Sequence, residues 1–535
     1  MPQADTLFLG SVLTMDLERP RASAVAVRGG KVLAVGDATE LHALTGPDTS
    51  VVHLDGACLL PGFHDAHVHL VSLGMELQQV DLANAATLED ALEAVRERAR
   101  TLPPDGWVHG AGFALQRWGL ATLGRVEADA LDQAAGGRPV RLVSQDHHSA
   151  WASRAALRQA GIGAGTPDPE HGVIVRDDEG APTGLLLERA VGLLDDAMPP
   201  ETDADRDVAV RAAAEHFASL GITSVHHMAF DDAARFRVMA NAASDDAYPV
   251  RVWACVSHRD IERAAALGIA TGQGGDTFRI GGAKFFADGA LGSRTAWMLE
   301  PYGGAHAAEA GYGVGMSVDG PAILAERVPL AIAAGLTPVI HAIGDRAVRT
   351  VLDVFEATEK QWRAAGLRPR VEHAQHVHPD DVARLGRLGL VASMQPTHIT
   401  FDVESVQDLL GDRVERAYPM RSLTRAGAHL AFGSDTPVAP ADVFAGLRAA
   451  SRRASKSGAR LGPSEAISPD AALAAYTTGA AYAVAAEGRS GMVREGYDAD
   501  LTIVSHDPTV ALDGLEVLAT VKGGRFTFRA AGFEG

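Results

Sequence analysis

The sequence predicts an α/β chain: an eight-stranded parallel (β/α)8 barrel, a small β domain built from both chain ends, and a long insertion after the first barrel strand. Three observations carry this. Strand-length apolar runs alternate with Ala-, Leu- and Arg-rich helical stretches through most of the second half. Short strand runs with Gly-Gly hairpins occur at both ends. His, Lys and Asp recur where successive barrel strands end.

In chain order, 6–14, 24–27 and 31–35 read as strands, the last two joined across Gly29-Gly30. A further strand, 51–60, runs into Pro61-Gly62-Phe63-His64-Asp65-Ala66-His67-Val68-His69. Residues two apart on a strand share a face, so His67 and His69 project together as half of a metal site. Such a pair taken alone is also met as two plain surface side chains. Residues 75–218 follow with a less regular pattern, including a helix from Thr87 to about Ala99 and tryptophans at 107, 118 and 151 among Gly-rich turns. A long segment on a rigid scaffold commonly carries specificity, which makes Trp118 a candidate substrate contact.

The strand series then runs 221–227, 250–256, 278–286, 337–341, 370–373, 390–395 and 429–433. With the His-x-His strand this makes eight strand–helix units, with helices at 321–334, 346–365 and 379–388 among the connections. Strand ends are where such a barrel places its chemistry. They carry Lys284 in an apolar run, His341, His373 and Asp435. An unpaired buried ammonium is costly, so Lys284 must be neutralised, paired or modified. Nitrogen and carboxylate donors of this kind suit zinc or a similar divalent ion. Strands 499–504, 517–522 and 525–528, the last two joined across Gly523-Gly524, return the chain to the β domain. The expected domains are therefore 1–61 with 485–535, and 62–484 for the barrel.

Composition bounds the rest. The 535 residues are 47% hydrophobic and 22% charged, an ordinary globular balance. Lys and Arg total 48 against 68 acidic residues, a net charge of −20, which argues against nucleic-acid or anionic-membrane partners. Two cysteines, Cys58 and Cys255, are too few for a disulfide framework and fit a reducing compartment. No basic, apolar leader opens the chain and no apolar run is long enough to span a bilayer. A cytoplasmic location is expected.

With these motifs in view, the chain resembles the amidohydrolase superfamily, in its YtcJ-like or N-substituted formamide deformylase-like branch. The resemblance rests on Pro61 to His69, Lys284-Phe285-Phe286-Ala287-Asp288-Gly289, His341 to Ala347, Glu372-His373-Ala374-Gln375, Gln395-Pro396 and Gly433-Ser434-Asp435. It implies a TIM-like metal-dependent hydrolase barrel with a β-sandwich. It further implies one or two divalent ions, zinc foremost. His67, His69 and Asp435 would hold the more buried ion. An N-carboxylated Lys284 would bridge to a second held by His341 and His373. Asp435 would act as general acid and base in hydrolysis of an amide, N-acyl or N-formyl C–N bond of a small molecule. Deaminase or cyclic-amide and ester hydrolase activity in the same superfamily, and a non-catalytic small-molecule regulator, are the alternatives. A homodimer is implied as well. His148, which matches a region of the family that approaches the active site from the insertion, and Arg294, just after the fourth barrel strand, are further substrate-contact candidates. His226 or His227 is expected to support a ligand, His376, His378 and His398 to be peripheral, and His64 stands where the family more often has an aliphatic residue.

Overall fold

Eight parallel strands form the central sheet, labelled in chain order β1 (Phe63–Val68), β2 (Ile222–His227), β3 (Arg251–Ser257), β4 (Phe278–Phe286), β5 (Pro338–Ala342), β6 (Arg370–His373), β7 (Val391–Met394) and β8 (His429–Phe432). The computed structural model describes residues 2–145, 148–229, 232–303, 313–455 and 457–534. Each strand pairs in parallel with the next from β1 to β8. The β8–β1 seam closes just beyond the strands: Asp435 N donates to His67 O at 2.7 Å and His69 N to Thr436 O at 2.9 Å. The barrel is thus sealed by the residues that carry its candidate chemistry. β1, β2, β6 and β7 are buried along their whole length, as expected of parallel strands covered on both faces.

The connecting helices form where their apolar residues face the sheet. Helix Asp345–Ala357 buries Val348, Val351, Leu352 and Phe355, the spacing of one helical face. Full burial of such side chains stabilises by roughly 1.5–3 kcal/mol each. Helix Pro379–Leu388 starts with proline, whose missing N–H is no loss in a first turn, and ends at Gly389 in the left-handed region. The stretch 346–365, expected as one helix, is two: Asp345–Ala357 and Glu359–Ala364 meet at Thr358 (φ −105°, ψ 8°). The Thr358 hydroxyl donates to Val354 O at 2.8 Å, a local bond that competes with helix continuation.

Both chain ends share one seven-stranded sheet, in the order Arg525–Arg529, Val517–Lys522, Leu501–Val504, Ser50–Pro61, Thr6–Leu13, Arg21–Arg28, Lys31–Gly36. The two termini are joined where Leu501–Val504 runs antiparallel to Ser50–Pro61. Gly29-Gly30 and Gly523-Gly524 all have positive φ, which their two-residue hairpins require. Apolar clusters line both faces, one around Phe8, Val25 and Leu59, the other around Leu7, Ala24 and Ala26.

Barrel and terminal sheet belong to one compact unit, Met1–Leu73 with Val210–Gly535; Gly74–Ala209 forms a second. This second unit is an α/β body with its own six-stranded sheet. Its core gathers Leu92 and Val95 of helix Leu88–Thr101, Leu131 of helix Arg125–Ala135, and Leu142 and Trp151 of the sheet. Helix Leu88–Thr101 is capped reciprocally by Thr87 and Asp90. Among the described residues no helix is long and apolar enough to cross a membrane.

Candidate metal centre

His67 leaves the end of β1 and His69 follows it, their rings 5.7 Å apart. The His373 ring, at the end of β6, lies 4.8 Å from that of His67, and the His341 ring, on β5, 4.4 Å from that of His373. Asp435, just past β8, puts Oδ1 3.3 Å from His67 Nε2 and 3.1 Å from His69 Nε2. One ligand atom each of His67, His373 and Asp435 falls within 4.8 Å of the others. Lys284 on β4 neighbours β5, with Phe286 opposite His341 in the register. Its ammonium lowers the proton affinity of both His67 and His341, which places it electrostatically in the same cluster.

Backbone conformation explains how adjacent residues reach one place. Strand alternation would send Glu372 and His373 to opposite faces. Yet Glu372 Oε2 lies 2.6 Å from His67 Nδ1, while the His373 ring sits tilted beside the same imidazole. The strand ends here: His373 has φ +69° and Ala374 φ +42°. Asp435, at φ +64°, turns in the same way after β8. Left-handed backbone at non-glycine residues is strained, and such strain clusters at functional sites.

Burial sets the charges. It pulls His67 down to about 4 and His341 to about 3, so both imidazoles are neutral donors near neutral pH. Lys284 is 1% exposed, and burial lowers its affinity for a proton, against the opposing pull of Glu372 and Asp435. Burial pushes Asp435 up, but the imidazoles of His67, His69 and His373 outweigh it and hold the carboxyl well below its usual range. Lys284 Nζ has no hydrogen-bond partner among the described residues, and Asp435 Oδ1 faces the Nε2 atoms of His67 and His69. Buried polar atoms are otherwise satisfied as a rule. Neutral imidazoles, an ionised carboxylate facing two of them and an amine without a hydrogen-bond partner fit a divalent cation.

Several residues that sequence reasoning passed over hold this cluster. Arg370 and Glu372 form a fully buried ion pair at 2.8 Å beneath His67. Asp65 accepts from Ser434 N at 2.9 Å and His67 N at 3.2 Å, tying β1 to the turn after β8; burial pushes its pKa up to about 7. Asp288 accepts from the backbone N–H groups of Ile343, Gly344 and Trp297, and burial raises it likewise to about 7. Gln395 Oε1 meets His373 Nδ1 at 2.7 Å. The available signal was charge inside strand-like runs: Arg370 and Glu372 stand two apart on one face of a segment that must be buried.

Of the remaining candidates, His148 and Trp118 belong to the second unit and Arg294 to the first. His148 is exposed in the second unit, with Nδ1 3.1 Å from Glu188; Asp146 and His147 beside it lie outside the described residues. Trp118 packs in that unit's core against Phe113 and Trp151 and donates its N–H to Ala85 O. Arg294 lies half-buried in the turns after β4, at φ +57°. His226 Nδ1 accepts from Arg370, and His227 Nδ1 accepts from Leu70 N at 3.1 Å. His64 bonds Ser490 at 2.8 Å.

The model of the amidohydrolase family matches residues 50–528. The chain belongs to the amidohydrolase family. Amidohydrolase-named YtcJ of Bacillus subtilis (strain 168) is 33% identical over 532 residues, covering 97% of this chain and 98% of that one. The N-substituted formamide deformylase of Arthrobacter pascens is 30% identical over 543 residues, with 98% of each chain covered. A metal-dependent hydrolase from Pyrococcus horikoshii OT3, known from a crystal structure, superposes with a TM-score of 0.74 at 28% identity, covering 97% of this chain and 99% of that one. This amidohydrolase is accordingly an enzyme, a metal-dependent hydrolase acting on carbon–nitrogen bonds.

Proposed function

We propose that the enzyme hydrolyses the amide bond of a small N-acyl or N-formyl amine at the cluster of His67, His69, Lys284, His341, His373 and Asp435. The observation that carries this reading is the buried Lys284 Nζ without a hydrogen-bond partner, beside neutral imidazoles whose Nε2 atoms converge on Asp435 Oδ1. The name of the 30%-identical deformylase points to the same bond class.

His67, His69 and Asp435 would hold one divalent ion, zinc or a first-row neighbour, and His341 with His373 a second. Lys284, once N-carboxylated, would bridge them as an anionic oxygen donor. Such an ion supplies a Lewis acid that makes water nucleophilic near neutral pH. Asp435 is ionised and sits at the mouth of the strand ends, so it accepts the proton that the attacking water gives up. The water oxygen bonds to the acyl carbon, the C–N bond breaks, and Asp435 returns the proton to the leaving nitrogen.

The test is Asp435→Asn, assayed against a panel of N-formyl amines, N-acyl amines, lactams and esters. The expected result is a loss of about 10²- to 10⁴-fold in turnover, with zinc content by elemental analysis largely kept. An Asn variant as active as the parent overturns the assignment. Turnover by the parent of lactams or esters alone would overturn the substrate class.

A further inference from the structure

We propose that Glu372, clamped by Arg370, is a positioning residue that fixes His67 as its Nδ1–H tautomer and makes the His67 side of the centre its tighter metal position. The inference rests on reading His67 and Asp435 as ligands.

Glu372 Oε2 lies 2.6 Å from His67 Nδ1. An ionised carboxylate only accepts hydrogen bonds, so Nδ1 must carry the hydrogen. In a neutral imidazole the lone pair is then on Nε2, the atom that faces Asp435 Oδ1 at 3.3 Å. Glu372 cannot easily turn away. Arg370 Nε meets Oε1 at 2.8 Å and Nη2 meets Oε2 at 3.2 Å, with both side chains fully buried. Arg370 is itself locked by Ala66 O at 2.7 Å, Ser393 Oγ at 3.1 Å and His226 Nδ1 at 3.1 Å. The guanidinium keeps the carboxylate charged, and the carboxylate in turn makes His67 Nε2 a stronger donor.

The two imidazoles of the second position, His341 and His373, have weaker support. His373 Nδ1 meets a neutral carboxamide, Gln395 Oε1, at 2.7 Å. His341 Nε2 meets a backbone carbonyl, Gly289 O, at 3.0 Å. Asp288 Oδ1 stands 3.5 Å from that nitrogen but is committed to the N–H of Ile343 at 3.0 Å. The cluster therefore runs from a charged partner at His67 to neutral partners at His373 and His341.

The experiment titrates metal-free, full-length protein with zinc against a chromophoric chelator. Two steps of unequal affinity are expected. Glu372→Gln, which keeps the shape but loses the charge, should weaken the tight step about 10- to 100-fold and leave the weak step in place. Gln395→Glu should strengthen the weak step. In parallel, nitrogen NMR of ¹⁵N-histidine-labelled, metal-free parent should show His67, assigned by its loss in His67→Asn, as the Nδ1–H tautomer. A tight step unmoved by Glu372→Gln, or His67 found as the Nε2–H tautomer, overturns the proposal. If Glu372→Gln fails to fold by circular dichroism, the parent tautomer and the Gln395→Glu titration decide. Absence of any zinc step would overturn the metal-centre reading itself, a result distinct from a zinc step that ignores Glu372→Gln.

Discussion

Lys284 and His376 show how burial without a partner translates into chemistry in one place and into pH-dependent stability in another. Because burial lowers the proton affinity of Lys284, the neutral amine is accessible to attack carbon dioxide. In the carboxylation proposed above, the Nζ–C bond would form, one N–H proton would leave, and the carbamate anion would replace an amine without a hydrogen-bond partner. Incubation with ¹³C-bicarbonate should therefore give a carbamate carbon signal in the parent that is missing from Lys284→Ala, and zinc content should fall in that variant. Equal zinc in both would remove Lys284 from the centre. His376, just past β6, is buried with neither ring nitrogen bonded among the described residues, and burial holds it near 3, with Arg413 contributing. In the unfolded chain it titrates near 6.5. Between those values the unfolded state binds the proton and the folded state does not, so stability is fully present above about 6.5 and is lost as pH falls toward 3. The slope approaches 1.4 kcal/mol per pH unit for one such group. His376→Leu should flatten the acid limb of a urea-midpoint-versus-pH curve, and an unchanged limb would refute this account.

Among the elements, the turns after β6 and β8 decide the geometry, and the second depends on Gly433. A Cβ there would lie 2.4 Å from His67 N and 2.8 Å from Asp65 Oδ1. Gly433→Ala should cost about 1–3 kcal/mol through overpacking, and because the displaced atoms belong to the barrel seam, zinc affinity should fall with the melting temperature. A melting temperature that drops while zinc binding holds would separate the seam from the site. The same turns mark the limit of what the amino-acid pattern could convey. Strand and helix periodicity made the eight β/α units readable, and their ends exposed His67, His69, Lys284, His341, His373 and Asp435 as one set. Glu372 was hidden because alternation assigns it to the face opposite His373, and only the left-handed backbone at His373 brings both to His67. Thr358 was hidden inside continuous helical spacing, since its hydroxyl bond to Val354 O leaves no periodic trace. The second unit's sheet was obscured by very short strands such as Val80–Asp81, and the orientations of Trp118 and His148 depend on that sheet.

At the scale of the whole molecule, the centre joins segments far apart in sequence: β1 contributes at 67 and 69, and the turn after β8 at 435. Cations bound only by the folded state stabilise it by mass action, about 2.7 kcal/mol when the free ion is at one hundred times its Kd. An ionised Asp435 among neutral imidazoles presents lone pairs that a divalent cation would engage. Dialysis against a strong chelator should therefore lower the melting temperature, and stoichiometric zinc should restore it. Spectator effects of the chelator are controlled by His67→Asn, whose melting temperature should respond weakly to both treatments. The terminal sheet, held by the antiparallel pairing of Leu501–Val504 with Ser50–Pro61 rather than by the cluster, should retain hydrogen-exchange protection after metal removal. Loss of protection should concentrate at the C-terminal ends of β1, β6 and β8. Uniform loss across barrel and terminal sheet would mean that the ion supports the unit as a whole and not its strand ends.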